Sequence, residues 1–566
     1  MSARPPNGAV AFALAGMLCA AGSVRAQRAV SPEAHARQEQ VAFAQLRRHL
    51  LPVMPLGDHL CEYSIGRLCY WDDPSGPSIP AEDAGVTTAR ARLRTSLDSL
   101  GEVDPASNYI VGQRVRYDLE GHDDAAAGRA AAACAATPWW CEALRGLVRH
   151  RTASEAASAA AYDSAITAMP DTIRCAWLDA DAWLPPYAQS HRRTDGHHCD
   201  AEMKTSARVF WLGAPLLTWR RNALRDEFLS RRTMQLLLAD SVNRGLPSFD
   251  WDVGVLSLRY GWPDRWARGN TSRQDPPLIG QLPKPSFDFV PNPDVLGKPF
   301  DATPADFALP NDPAARMRYA PGFVRAIGTM AVQTARFRRG DTMIVVAVYD
   351  GRAMTDSVSS TVVAAGSLSA GLAPESTFAM SLTPGEATGV IVLRARARPA
   401  LAAVELVDST RAIAERWRAG IEPLPASSTI SDLLIGVGGP TFNPFSPQTA
   451  GDYAVPVLTF TPHDTVALYW ETYLEPPPGT PVRVSVRLTR LATGFFGRLS
   501  HAVGLSHGDA EPTIAWTEIR PDSSVARSIR LGIPDVPPGR YRIEVSMQNQ
   551  GAAGTTSRDI RIDAAR

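Results

Sequence analysis

FDWDVGVLSLRYGWPDRW, residues 249–266, is the stretch around which the rest of this chain is organised. Val255, Ser257 and Arg259 alternate with Leu256, Leu258 and Tyr260, the period-two signal of a half-buried strand. Gly261 breaks the alternation, and Trp262-Pro263-Asp264 turns the chain, because proline presets φ for a turn and removes an amide donor. The expectation is a strand with a stiff aromatic exit. Upstream, Leu217, Leu224, Phe228, Leu229, Leu236, Leu237 and Val242 mark a long helix over 216–243, stopped by Gly245 and Pro247. Downstream, a proline-rich run leads into two β-rich segments.

The chain has 566 residues, which suggests about three to four domains at roughly 100 to 200 residues each. Its 58 lysines and arginines equal its 58 aspartates and glutamates, so no global field favours nucleic acid or an anionic membrane. The pairs Arg47-Arg48, Arg220-Arg221 and Arg231-Arg232 fall within helical patterns and read as solvated faces. No nucleic-acid partner is expected.

Residues 1–26 read as a secretory signal. Arg4 precedes an apolar run over 9–21, and Val24-Arg25-Ala26 closes it in a small-x-small cleavage pattern. No later stretch supplies the roughly 20 apolar residues of a membrane-spanning helix, so no transmembrane segment is expected in the mature chain. Beyond that leader the cysteines are Cys61, Cys69, Cys134, Cys141, Cys175 and Cys199. Proximity suggests three local bridges, Cys61 with Cys69, Cys134 with Cys141 and Cys175 with Cys199, as suits an oxidising compartment. Free thiols or a metal site are the alternatives. Cys175, Asp179, Asp181, His191, His197, His198, Cys199 and Asp200 are of zinc-ligand type, but no close cysteine or histidine pair stands at ligand spacing. The expectation is a disulfide-tied loop, with no metal and no other cofactor.

Ser31-Pro32-Glu33 opens a helix over 31–51, since serine can cap, proline is tolerated at the first helical position and an early acid complements the dipole. A second helix is expected over 87–100. Gly112 and Gly146 then stand 34 residues apart in helical patterns, and Tyr162, Ala165 and Pro170 follow the later copy. That spacing resembles the tetratricopeptide repeat, a pair of antiparallel helices packed through small residues. Arg145 and Glu142 stand where that family prefers leucine and tryptophan. The resemblance implies that neighbouring helices complete the stack and that Cys134 and Cys141 flank the turn between repeats.

A second resemblance lies in the opening stretch. The helix before it, then Asp252-x-Gly254, a strand, and Arg259-Tyr260-Gly261-x-Pro263-Asp264, is similar to the bacterial GWxTD domain. Ser248, Phe249 and Trp251 stand where the family has glycine, tryptophan and threonine. The resemblance implies a small α/β unit and carries no established activity. Asp250 and Asp252 could pair for acid-base work, but no nucleophile is adjacent, and Trp262 and Trp266 are expected to pack on the preceding helix.

Prolines recur over 271–321, a linker or a strap laid over a neighbour. Alternating runs with turn signals follow over 322–420 and 429–566, which suggests two antiparallel β-sandwiches. In the second, Asp535-Val-Pro-Pro-Gly539-Arg-Tyr541 joins two strands, with the tyrosine placed to anchor the turn. Gly504-Leu505-Ser506-His507-Gly508 matches a nucleophile-elbow pattern, but no histidine follows it to complete a triad, and it reads as a loop.

The fold class is multidomain α+β: a helical, repeat-like region over 27–205, a GWxTD-like unit over 206–270, the linker and two sandwiches. The expected function is a secreted or periplasmic, non-enzymatic interaction protein with a protein partner in the cell envelope. The alternative is an extracellular hydrolase or carbohydrate-binding protein using 249–266.

Overall fold

The computed structural model describes residues 30–55, 63–65, 68–71, 79–152, 155–180, 199–218, 222–241, 254, 257–258, 261–263, 265–270, 278–281, 293–308, 324–355, 362–372, 374–382, 388–473, 479–491, 512–519, 525–549, 551 and 553–564. Helices occupy the first part: α1 (Pro32–His49), α2 (Ala84–Val103), α3 (Asn108–Glu120), α4 (Asp124–Ala132), α5 (Pro138–Arg151), α6 (Glu155–Ala168), α7 (Asp171–Leu178), α8 (Cys199–Gly213) and α9 (Ala223–Ala239). Their starts follow local chemistry. Ser31, Asp83 and Ser107 each accept a hydrogen bond from a first-turn amide, which satisfies donors that have no intrahelical partner.

Two cores hold this half. Phe43, Leu93, Leu97, Tyr109 and Tyr117 fill the space between α1, α2 and α3. Trp140, Leu144, Tyr162, Trp177, Phe210 and Phe228 fill the larger one between α3 and α9. The helix α6 folds back on α5, where Ser158 Oγ donates to the Gly146 carbonyl. A Cβ on Gly146 would lie 2.5 Å from the Tyr162 ring, so only glycine permits this approach. Gly112 likewise faces Leu237 of α9 and Trp140 of α5. The two glycines picked out by their spacing thus both sit at close helix contacts, and α9 packs against this group. Cys134 and Cys141 form a disulfide across the α4–α5 turn, with Cα atoms 5.6 Å apart. Cys175 is also disulfide-bonded. Cys61 and the side chains of Cys69 and Cys199 lie outside the described residues.

The central stretch departs from the expectation. Gly254, Ser257 and Leu258 are helical, and the Gly261 amide donates to the Ser257 carbonyl at 2.9 Å. All three are buried, and their i, i+3, i+4 spacing makes one helix face, with Leu258 in the larger helical core. An alternating apolar run this short fits either period, and packing against α9 decided it. The strand comes after the turn: β4 (Arg265–Asn270) pairs in parallel with β1 (Val53–Pro55) and antiparallel with β5 (Leu278–Gln281). With β3 (Leu68–Trp71) and β2 (Tyr63–Ile65) they form a mixed sheet in the order β1-β4-β5-β3-β2. Chain from both sides of the helical stack closes this sheet.

The second part is a stack of sheets. The first sheet has the order β10-β9-β12-β13-β6, built from β6 (Ala326–Thr329), β9 (Val362–Ser369), β10 (Ser376–Ser381), β12 (Ala400–Asp408) and β13 (Ile413–Ile421). The second has the order β11-β8-β7, from β7 (Val332–Arg339), β8 (Thr342–Asp350) and β11 (Thr388–Arg396). Met343, Val345, Ala347 and Tyr349 of β8 meet Ala402, Val404 and Leu406 of β12 in the core between these sheets.

The third sheet, β14 (Leu434–Val437), β16 (Thr465–Glu471) and β19 (Ala526–Gly532), packs on the other face of the second. There Ile344, Val346 and Val348 meet Leu434, Ala467 and Tyr469. The fourth sheet, β15 (Thr459–Phe460), β17 (Pro481–Arg490), β18 (Thr513–Ile519), β20 (Gly539–Gln548) and β21 (Ala553–Ile562), closes the last core around Val466, Leu468 and Trp470. The two expected sandwiches are therefore fused face to face, with Arg336 gripping Asp432 through contacts of 2.7 and 3.0 Å across the seam. The Tyr541 hydroxyl donates to the Pro537 carbonyl at 2.6 Å, which anchors the proline-glycine turn as expected.

Glu120, at the end of α3, is enclosed by three guanidiniums. Arg116 and Arg47 reach it at 2.9 and 3.2 Å, and Arg90 lies at 3.9 Å. Burial favours the neutral acid, but the three cations overcome it and hold the carboxyl at about 2. An unfolded glutamate titrates near 4.5, so this stabilisation is complete above that pH and is lost as pH falls from about 4.5 to about 2. The shift corresponds to about 3 kcal/mol. Urea unfolding should show the wild type losing about that much more stability than Glu120→Gln between pH 5 and pH 2. Parallel pH profiles would refute the assignment.

Candidate functional site

The face of the first sheet that looks away from the second is covered by the end of α8, the segment that follows it and the proline-rich segment. Strand β12, ALAAVELVD, is buried along its whole length. Ala402, Val404 and Leu406 point into the β core, while Leu401 meets Trp211, Val295 and Phe307 on the other side. Glu405, fully buried, points the same way as Leu401.

The Glu405 carboxylate takes the Leu217 amide at 2.6 Å, the Thr218 amide at 2.8 Å and the Thr218 hydroxyl. Arg418 donates to it at 3.1 Å. Arg416 stands opposite Glu405 in the β12–β13 register, and Arg418 opposite Ala403, so all three charged groups share one face. Both arginines reach the end of α8. Arg418 donates to the Leu212 and Pro215 carbonyls at 3.3 and 3.0 Å, and Arg416 to the Ala214 and Pro215 carbonyls at 3.3 and 2.7 Å. The end of a helix carries unsatisfied carbonyls and partial negative charge, which suits two cations. The same contacts explain why α9 begins only at Ala223. The amides of Leu217 and Thr218 are committed to Glu405, and Asn222 caps the helix by accepting from Arg225.

The proline-rich segment supplies the second clamp. It contributes β5, then the short helix α10 (Pro293–Gly297) and a turn of 3-10 helix (Pro304–Phe307), and it lies along the sheet as a strap. The Gly420 amide donates to the Ala302 carbonyl at 2.7 Å. A Cβ on Gly420 would lie 1.9 Å from the Phe300 carbonyl oxygen, so any side chain there would push the strap off.

A cleft of about 400 Å³ opens where α8, the strap and the first sheet's loops meet. Arg208 and Trp211 line it from α8, Lys298 and Asp301 from the strap, and Leu372 and Glu422 from the β loops. Clefts of roughly 300 to 1,000 Å³ at domain junctions are the usual form of ligand sites. Arg208 is held against the strap by donating to the Leu296 carbonyl at 3.0 Å. The charged ends of Lys298, Asp301 and Glu422 make no ion pair or side-chain hydrogen bond among the described residues.

The residues singled out in 249–266 are placed elsewhere. Gly254 is buried in the helical segment. Gly261 has φ of +91°, a conformation open to glycine and strained for other residues, and lies beside Arg231, which donates to the Leu258 carbonyl at 3.3 Å. Pro263 and Trp266 pack on Gly280 of β5, and the Trp262 and Trp266 ring centroids are 5.2 Å apart. Asp250, Asp252, Arg259, Tyr260 and Asp264 lie outside the described residues, as do His191, His197, His198 and the Gly504–Gly508 pattern.

Sequence reasoning missed Glu405, Arg416 and Arg418. The signals were a lone glutamate inside an apolar run and two arginines spaced i, i+2 in a strand, IAERWRAGI. The cleft residues carry no such signal, because five separate segments bring them together.

No family model matches the chain, and no curated protein matches it in sequence. Among the described residues, no helix is long and apolar enough to cross a membrane.

Truncating one partner of a buried, hydrogen-bonded ion pair typically costs about 3 to 5 kcal/mol. Glu405→Ala should lower stability by about that amount, whereas Glu375→Ala, at a half-exposed surface pair with Arg398, should change it by less than about 1 kcal/mol. Equal effects in urea titrations would show that the junction carries no special weight.

Proposed function

We propose that this protein is an exported, non-enzymatic interaction protein of the cell envelope. In this reading the helical half and the stacked β-sheets form one rigid scaffold that presents the cleft at their junction to a protein partner. The observation that carries it is the buried Glu405 junction, where a β-strand carboxylate takes two amides of the helix-linking segment and two arginines take the carbonyls that end α8. Such contacts hold two modules in a fixed relation, which a binding scaffold needs. Export is supported by the Cys134–Cys141 disulfide, since oxidising compartments preserve such bonds. The glycine-mediated contacts at Gly112 and Gly146 support the repeat-like reading of the helices. The placement of Gly261 and Pro263 at the turn into β4 supports the GWxTD-like reading of the central unit.

The described part of 249–266 favours packing over catalysis. Leu258 and Trp266 are buried at 0% and 1% exposure, and Pro263 and Trp266 are pressed on Gly280. A pull-down from envelope extract, run beside a glycan and peptide turnover assay, tests the function. A specific, saturable protein partner and no turnover are expected. Turnover that disappears in Asp252→Ala, with no partner retained, would establish the hydrolase instead.

A further inference from the structure

The geometry points to the junction cleft as a binding site for a short protein segment that carries both an acidic and a basic side chain. This rests on the scaffold reading and names the chemistry of its partner. The walls offer two cations, Arg208 and Lys298, and two anions, Asp301 and Glu422. Lys298 and Asp301 have no charged partner among the described residues, and Glu422, although it lies in the field of Arg336, makes no ion pair or side-chain hydrogen bond there, so its carboxylate oxygens remain open to a ligand.

That balance narrows the ligand class. A polyanion such as a nucleic acid would meet two carboxylates, and a divalent cation would meet an ammonium and a guanidinium in the same space. A neutral sugar wants an open aromatic face, but Trp211 is only 8% exposed, and Phe300, the other aromatic of the lining, is half-buried against the same cluster as Leu401 and Phe307. A peptide meets every feature. Its acidic side chain would face Arg208 and Lys298, its basic side chain would face Asp301 and Glu422, and an apolar residue between them would cover Leu372, which is 51% exposed. At about 400 Å³ the cleft holds a few residues. Rim charges of this kind set register and partner choice more than raw affinity.

Calorimetry on the disulfide-intact chain tests this with blocked octapeptides. One set carries Asp and Arg two residues apart around a leucine, in both orders. The controls replace Asp by Asn, Arg by Gln, or both. Mixed-charge peptides should bind saturably, and each neutralised control should bind at least tenfold more weakly. Lys298→Glu and Glu422→Lys should each weaken binding at least tenfold while leaving the melting temperature unchanged. Equal binding of the neutral peptides, tighter binding of maltohexaose, or variants that bind as the parent does would overturn the proposal. If Lys298→Glu and Glu422→Lys still retain the envelope partner in the pull-down, the cleft assignment fails and the scaffold reading stands. If the parent retains no partner at all, the scaffold reading fails as well.

Discussion

A single carboxylate, Glu405, decides how this chain is put together. It is fully buried in the apolar run 400–407 of β12, a placement that costs several kcal/mol unless every lone pair finds a donor. Arg418 and the Leu217 and Thr218 amides supply those donors. Arg416 and Arg418 bring a second positive charge, and the carbonyls at the end of α8 absorb it. Each group is tolerable only because the others are present. The helical half therefore cannot leave the sheet without exposing or orphaning all of them at once.

The rest of the β architecture follows from strands with two buried faces. In β8 the odd positions from Met343 to Tyr349 fill one core and the even positions from Ile344 to Val348 fill another. In β16, Val466, Leu468 and Trp470 face the last core while Ala467 and Tyr469 face the seam. Such strands cannot end a sandwich, because both faces need cover. Stacking sheets on both sides is one answer, and the end of α8 with the proline-rich strap covers the remaining buried face of β12.

Much of this was legible in the sequence. Capping residues marked α1, and Tyr541 marked the anchor of the proline-glycine turn before it, where its hydroxyl donates to the Pro537 carbonyl. Glycine spacing located helix contacts at Gly112 and Gly146. The fusion of the sandwiches was not legible as such, although TMIVVAVYD already showed a run apolar on both faces. The misread strand at 255–260 shows the converse: a short apolar alternation is ambiguous, and the burial of Gly254, Ser257 and Leu258 on one helical face resolved it. The cleft depends on long-range packing, since Arg208 and Glu422 are far apart in the chain and nothing local announces their meeting.

The central claim is that the segment linking α8 to α9 is locked into the β-sheet through Glu405. Hydrogen exchange at the Leu217 and Thr218 amides tests it most directly, because amides held in a buried junction exchange only when that junction opens. The account predicts that both exchange as slowly as the amides of β12, and that Glu405→Gln speeds them without speeding the amides of β17. Exchange of Leu217 and Thr218 at the rate of an exposed loop would contradict it.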